Sequence, residues 1–213
     1  VIPVAKAIHL VNEIKAGGKE EDYWIAEFWS DDCPILTFSP ACRWVSVTNQ
    51  LIGIERLDMM ESVTAYAKLG MALSDAGVKC WGEKYRYNCL RPIDYIRRYM
   101  NDPDWNTIMC PDGSGGFYTP NFPTYPSGHA TFSTAAAIVL ESVFGSNYTF
   151  TDRSHEGRTE FKGTPRTFNS FRKMAQENAY SRVPLGVHFQ SDSDAGSELG
   201  LVVGLWVTNL PWQ

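Results

Sequence analysis

The stretch YPSGHATFSTAAA, residues 125–137, constrains the fold more than any other part of the chain. Pro126 fixes φ and suits the first turn of a helix, which the small residues after it can continue. The first N–H groups of a helix have no partner inside it and carry partial positive charge. Such a helix start offers an oxyanion N–H donors, a hydroxyl and an imidazole from Ser127, Gly128 and His129. Taken alone, however, the stretch favours an ordinary helix start with an incidental histidine.

Helical patterns account for most of the remaining sequence, and we see no convincing strand. They cover residues 3–16, 20–30, 43–78 with a break near Gly53, a helix beginning at Pro92, the 125–137 stretch extended to Gly145, residues 167–181, and a last helix ending near Thr208. Residues 101–124 are rich in Asn, Asp, Gly and Pro and predict a long loop. With 213 residues, 44% of them hydrophobic, the chain fits one domain, and we predict an all-α bundle spanning residues 1–213.

Three further patterns predict which side chains are buried. Apolar residues at roughly helical spacing are expected to face the core, namely Leu57, Met60, Val63, Ala67 and Met71. Small residues in the last helix would permit close packing, namely Ala195, Gly196, Gly200 and Gly204. His155 lies in a polar segment, and we expect it to be solvated.

Charge and hydropathy exclude some classes of function. The net charge of −5 argues against a broad nucleic-acid-binding surface, so an anion site must be a local cluster of cations. The longest apolar run, near residues 199–207, is too short to span a membrane. The chain starts at Val1 in helix-like sequence, without an initiator Met or a signal peptide. We therefore expect a processed chain or the C-terminal part of a longer one.

The five cysteines form no CxxC pair, which argues against a zinc ribbon or a thioredoxin-like motif. Cys33 and Cys42 flank a proline-containing segment and could close a short loop by a disulfide bond. Buried free thiols are equally compatible with the pattern.

Conspicuous cations and histidines recur between residues 84 and 188. Lys84, Arg91 and Arg182 could balance the charge of a tetrahedral anion, because arginine grips two oxygens and lysine acts as a point charge. His129 and His188 permit a division of labour between a nucleophile or ligand and a proton carrier. The alternative for the basic stretch around Lys84 is a solvated face.

The spacing of these residues resembles a three-part signature. Lys84 is followed after six residues by Arg91 and Pro92, residues 126–129 read PSGH, and Ser181-Arg182 is followed after five residues by His188. This order resembles vanadium-dependent haloperoxidases and the type 2 phosphatidic acid phosphatase superfamily. The resemblance covers about half of the chain, and the family fold is an all-α helical bundle. Known haloperoxidases are much longer, with a further bundle ahead of these motifs.

The resemblance implies a vanadate cofactor, with hydrogen peroxide and a halide as substrates, and a role for each matched residue. Lys84, Arg91, Ser127, Gly128 and Arg182 would bind the oxygens of vanadate. His188 would be the ligand of the metal, His129 the general acid–base group, and Lys84 would also polarise the bound peroxide. Asp192 matches an HxxxD extension that orients a histidine or arginine, and an N-cap role for the last helix is equally compatible.

The branch of the family is indicated by aromatic residues. PTYPSGHA, residues 123–130, is close to the bromoperoxidase pattern, whereas Trp81 and Phe122 match a chloroperoxidase pair. Bacterial iodoperoxidases share that pair and have an upstream tyrosine, for which Tyr23 is the candidate. We therefore predict iodide as the halide, chloride being the competing prediction. The sequence does not fix the compartment, and of the possible locations we favour the periplasm or secretion. The alternatives are a histidine-nucleophile acid phosphatase and a non-catalytic oxyanion-binding protein.

Overall fold

The computed structural model describes residues 2–34 and 36–212, so Val1, Ile35 and Gln213 lie outside the described residues. The predicted all-α class is confirmed. In chain order the elements are α1 (Ile2–Lys15), α2 (Glu20–Phe28), α3 (Pro40–Glu55), α4 (Met59–Tyr87), α5 (Pro92–Tyr99), α6 (Gly128–Phe144), β1 (Phe150–Asp152), β2 (Arg166–Phe168), α7 (Phe171–Ser181) and α8 (Gln190–Thr208).

Helix α6 is the centre of the bundle and packs against α3, α4, α7 and α8. Ser127 is its N-cap, because the Ser127 hydroxyl accepts the backbone N–H of Ala130. Pro126 therefore precedes the cap and lies two residues before the first helical residue, Gly128, instead of starting the helix as we predicted. Gly145 ends α6 with a positive φ, as expected for a residue without a side chain.

Close contact between α6 and α8 depends on the glycines of α8, as predicted. Added Cβ atoms would meet the Ser127 carbonyl oxygen from Gly196, the Thr131 carbonyl oxygen from Gly200 and the Ile138 side chain from Gly204. The four-residue spacing places all three on one face. This face holds α8 against the first turns of α6, where the predicted anion-binding residues lie.

The structure corrects three predictions about the elements. Phe150–Asp152 and Arg166–Phe168 pair as a short antiparallel sheet, although no strand was expected. The break between α3 and α4 lies at residues 56–58, where Asp58 caps α4, and not near Gly53. The apolar residues between Leu57 and Met71 that were predicted to face the core are largely exposed. The buried face of α4 consists of Ala65, Leu69, Ala72, Leu73, Ala76, Cys80 and Lys84. Alanines on that face let α4 approach α6 closely. The prediction failed because it followed the larger apolar residues and not these alanines.

A buried ionic cluster ties α3 to β1 and to the end of α2. The Arg43 guanidinium pairs with Asp31 at 2.9 Å and with Asp152 at 3.1 Å, and it also donates to the Phe28 carbonyl. His155 contacts the same guanidinium and is only 1% exposed, so the expectation of a solvated His155 is wrong. Aromatic rings enclose its imidazole, which explains its burial in an otherwise polar segment.

The disulfide bond joins Cys33 to Cys110 across 77 residues of sequence, and the expected pairing with Cys42 is wrong. Cys42 is exposed on α3, whereas Cys33 and Cys110 are brought together by the loop before α3 and the long loop before α6. Among the helices of the described residues, none combines the length and the apolar character needed to cross a membrane.

Candidate functional site

A cavity of about 260 Å³ lies at the start of α6, where the three sequence motifs meet. The first motif contributes side chains from α4 and the N-cap of α5, and the second from the first turn of α6. The third contributes side chains from the C-cap of α7 and the turn before α8. The lining residues named by the sequence are Trp81, Arg91, Phe122, Gly128, His129, Arg182 and His188. The fold therefore brings together residues that are up to about half the chain apart in sequence.

Two buried arginines supply the positive charge of this cavity. Arg91 donates through Nε to the Phe122 carbonyl and through Nη1 to the Val187 carbonyl, both at 2.8 Å. Arg182 donates through Nη1 to the Trp29 carbonyl at 2.9 Å. Arg91 Nη2 and Arg182 Nε are buried without a hydrogen-bond partner among the described residues. Burial lowers the pKa of Arg91 to about 9 and that of Arg182 to about 10, so both are cations near pH 7.

Two side-chain oxygens lie beside Nδ1 of the His188 imidazole, and a guanidinium nitrogen lies beside its Nε2. Its Nδ1 lies 2.9 Å from Thr124 Oγ1 and 3.3 Å from Asp192 Oδ2, whereas Nε2 lies 3.4 Å from Arg91 Nη1. Asp192 is not the N-cap of α8 but lies in its first turn, where it accepts the N–H of the N-cap residue Phe189 at 2.9 Å and contacts His188. Burial, and then the charge of Arg91, lower the pKa of His188 well below its usual range. The ring is therefore neutral near pH 7.

His129 lies in the first turn of α6 and is 5% exposed. Its Nε2 is buried without a partner among the described residues. Burial lowers the pKa of His129 well below its usual range, and the charges of Arg182 and Arg91 lower it further. A neutral imidazole in this position can accept a proton once an anion offsets the neighbouring positive charge.

Lys84 and Ser127 lie beside the cavity and make other contacts. The three ammonium donors of Lys84 reach the carbonyls of Pro123, Thr124 and Pro126 at 2.9, 3.0 and 2.6 Å. Burial lowers the pKa of Lys84 to about 8. Ser127 uses its hydroxyl to cap α6. In this structure both residues thus hold the 123–127 segment in place, and the oxygen-binding roles implied for them remain predictions.

Aromatic rings form one wall of the cavity. The centroids of Trp81 and Phe122 are 5.2 Å apart, and a Cβ on Gly128 would lie 3.0 Å from the Trp81 ring. The missing side chain of Gly128 therefore lets Trp81 pack closely over the start of α6. Tyr23 does not belong to this wall, because it lines a separate cavity of about 170 Å³ with Cys33 and Cys110. Of the three residues predicted to form a halide pocket, Trp81 and Phe122 line this cavity and Tyr23 does not.

Sequence reasoning missed two polar residues of the site. Thr124 was part of the quoted PTYPSGHA stretch but received no role, although its hydroxyl contacts His188 and Asp192. Asp32 lines the cavity from the loop before α3. Thr124 could have been predicted, because it carries a hydroxyl group and lies two residues before the PSGH motif. Asp32 could not, because it lies far from all three motifs in the sequence.

The family model of the VCPO second helical-bundle domain matches residues 64–211, which is more than half of the chain. The chain belongs to the vanadium haloperoxidase family. It is 27% identical to a vanadium chloroperoxidase of Curvularia inaequalis over 173 residues, covering 63% of this chain and 28% of the relative. It is 33% identical to a vanadium-dependent bromoperoxidase of Ascophyllum nodosum over 91 residues, covering 38% of this chain and 16% of the relative.

A solved structure of a bacterial vanadium-dependent iodoperoxidase superposes with a TM-score of 0.86 at 31% identity. The match covers 97% of this chain and 48% of that chain. This haloperoxidase-family chain thus spans about half the length of the solved structure and less than a third of the curated relatives' lengths.

The residues of the cavity fit a tetrahedral oxyanion such as vanadate. Arg91 Nη2, Arg182 Nε and His129 Nε2 are buried polar atoms without partners among the described residues, and an unpaired buried donor is costly. An oxyanion would give these atoms hydrogen-bond partners and balance the two guanidinium charges. His188 also lines the cavity, and its Nε2, 3.4 Å from Arg91 Nη1, would be the nitrogen that binds the central atom.

Proposed function

We propose that this chain carries the catalytic site of a vanadate-dependent haloperoxidase that oxidises iodide with hydrogen peroxide. One observation carries the proposal. Arg91, Arg182 and His129 each have a buried nitrogen without a partner among the described residues, and all three line one cavity together with His188. Family membership supports the cofactor, because the relatives in this family are named as vanadium enzymes.

The proposed roles follow from the free atoms of each side chain. Arg91 and Arg182 would hold the oxygens of vanadate, and His188 would bind the central atom through Nε2. His129 takes a proton at Nε2 and returns it, because that atom has no other partner among the described residues. The chemistry that vanadate would supply in this site is that of a Lewis acid toward hydrogen peroxide.

Iodide is favoured by the aromatic wall and by the similarity to an iodoperoxidase. Iodide is large and weakly hydrated, so the surfaces of Trp81 and Phe122 would desolvate it at a lower cost than chloride. The solved structure at 31% identity is named an iodoperoxidase. Tyr23 does not support the choice of iodide, because it lines the other cavity.

The disulfide bond supports a periplasmic or secreted location. Cys33 and Cys110 form a disulfide bond. Disulfide bonds persist in oxidising compartments and are rare in the cytosol. We propose further that residues 1–213 form one helical domain and are the C-terminal part of a longer chain, because the family model that they match is that of a second helical-bundle domain.

The test is reconstitution of the protein with orthovanadate, followed by steady-state kinetics with hydrogen peroxide and each of the three halides at one pH. We expect iodide oxidation to be fastest, the Tyr23→Phe variant to retain that preference, and the Trp81→Ala variant to lose part of it. Appreciable chloride oxidation would overturn the choice of iodide. Absence of any vanadate-dependent peroxidase activity, with hydrolysis of a phosphate monoester by the vanadate-free protein, would favour the acid phosphatase alternative.

A further inference from the structure

Thr124 occupies a fixed position between the long loop and α6. Its side chain is 1% exposed. Its backbone N–H donates to the Cys89 carbonyl at 3.0 Å, and its own carbonyl accepts from Lys84 Nζ at 3.0 Å. The backbone is therefore fixed on both sides, which limits where the Thr124 hydroxyl can point.

The direction of the hydrogen bond from Thr124 follows from its partner. Thr124 Oγ1 lies 2.6 Å from Asp192 Oδ2, and the same carboxylate oxygen accepts the Phe189 N–H at 2.9 Å. An oxygen that accepts a backbone N–H in this way acts as an acceptor, so the hydroxyl of Thr124 donates its single proton to Asp192. The lone pairs of Thr124 Oγ1 are then left for another donor.

That donor is Nδ1 of His188. Its two neighbours are Thr124 Oγ1 at 2.9 Å and Asp192 Oδ2 at 3.3 Å, both of which accept hydrogen bonds in this arrangement. Nδ1 therefore carries the ring proton. In a neutral imidazole the other nitrogen, Nε2, then has the free lone pair. Its neighbour, Arg91 Nη1 at 3.4 Å, is only a donor, which agrees with an unprotonated Nε2.

We propose that Thr124 is a positioning residue that fixes the Nδ1-protonated tautomer of His188 and so directs the Nε2 lone pair toward the cavity. The relevance of this tautomer to vanadate rests on the proposed function, because only an unprotonated Nε2 can bond the central atom. Partners that orient a ligand histidine in this way typically change the affinity for the metal about 10–100-fold when they are removed.

The first test needs neither vanadate nor turnover. Long-range ¹H–¹⁵N correlation spectra of the ¹⁵N-histidine-labelled protein report the tautomer of each of the four histidines, and loss of a signal in the His188→Gln variant assigns it. We expect Nδ1 of His188 to be protonated in the parent and in Thr124→Ser, which keeps the hydroxyl. Thr124→Val, which keeps the shape, should give a mixture of tautomers. A parent spectrum with an unprotonated Nδ1 would overturn the proposal, whether or not the valine variant folds.

The second test measures binding of orthovanadate by equilibrium dialysis. We expect Thr124→Val to weaken binding about 10–100-fold and Thr124→Ser to stay close to the parent. Equal binding by all three proteins would overturn the positioning role and leave the proposed function intact. A parent that binds no vanadate would instead contradict the proposed function, while the spectra would still decide the tautomer.

Discussion

A Cβ atom on Gly196 of α8 would lie 2.5 Å from the carbonyl oxygen of Ser127, the residue that caps α6. This contact means that α8 sets the position of the first turn of α6, which carries His129. The site is therefore built on the packing of two helices, and a single methyl group between them would move it.

We predict that Gly196→Ala destabilises the protein by about 1–3 kcal/mol, because the backbone of α6 would have to shift. Peroxidase activity should fall as well, since His129 moves with α6. Gly70→Ala is the matched control: Gly70 is exposed in α4, nothing lies near its added Cβ, and alanine should stabilise that helix by about 0.5–1 kcal/mol. Urea unfolding curves check both, and a Gly196→Ala protein as stable as the parent would contradict the role of this contact.

Much of the fold could be predicted from periodicity and from capping residues. The start of α5 at Pro92 and the end of α6 at Gly145 follow from local rules that hold whatever the rest of the chain does. The strands β1 and β2 could not be predicted, because three residues are too few to show an alternating pattern. The Cys33–Cys110 pair could not be predicted either, since only the tertiary fold brings two loops 77 residues apart into contact.

In the site, too, some features could be predicted from the sequence and others could not. Motif spacing identified Arg91, His129, Arg182 and His188, which the structure brings to one cavity. It could not show that carbonyls of the 123–126 segment occupy the donors of Lys84, because that depends on how the loop turns. Tyr23 was proposed on sequence position alone, and the bundle directs it to a different cavity.

The two histidines of the site should not be interchangeable. We predict that His188→Ala abolishes retention of vanadate, because it removes the only nitrogen proposed to bond the central atom. His129→Ala should retain some vanadate and lose turnover by about 10²–10⁴-fold, the usual contribution of a general acid–base group. Vanadium content after gel filtration and steady-state kinetics measure the two effects.

A matched control for these variants is His9→Ala, since the side chain of His9 in α1 is 76% exposed. It should change neither vanadium content nor turnover. If His188→Ala and His129→Ala both bound vanadate as tightly as the parent, the assignment of His188 as the ligand would be wrong.

The disulfide bond should contribute substantially to stability. Cys33–Cys110 closes a loop of 77 residues, for which loss of chain entropy in the unfolded state predicts about 4 kcal/mol. We predict that the Cys33→Ser/Cys110→Ser double variant loses stability of this order in urea unfolding, and that dithiothreitol lowers the stability of the parent but not that of the variant. Cys42→Ser, at an exposed free thiol, is the control. Equal stability of the double variant and the parent would show that the bond is dispensable.

His155 should make the stability of the protein sensitive to mild acid. Its ring stacks on Phe38 and meets the edges of Phe28 and Phe161. Burial, and then the charge of Arg43, lower its pKa to about 4. In the unfolded chain the pKa of histidine is about 6.5, so above that pH both states are neutral and His155 contributes no pH dependence. Between about pH 6.5 and pH 4 only the unfolded state takes up the proton, so stability falls as the pH falls.

We predict that this effect reaches at most about 3 kcal/mol near pH 4 and that His155→Phe removes it. Phenylalanine keeps an aromatic ring among Phe28, Phe38 and Phe161 but cannot be protonated. Urea unfolding at a series of pH values from 7 to 4 gives the free energy of unfolding of both proteins. The carboxylates Asp31 and Asp152 that share the Arg43 cluster are present in both, so the difference between the two curves isolates His155. Parallel curves would mean that His155 is protonated in the folded protein as readily as in the unfolded chain, and that its burial does not control its charge.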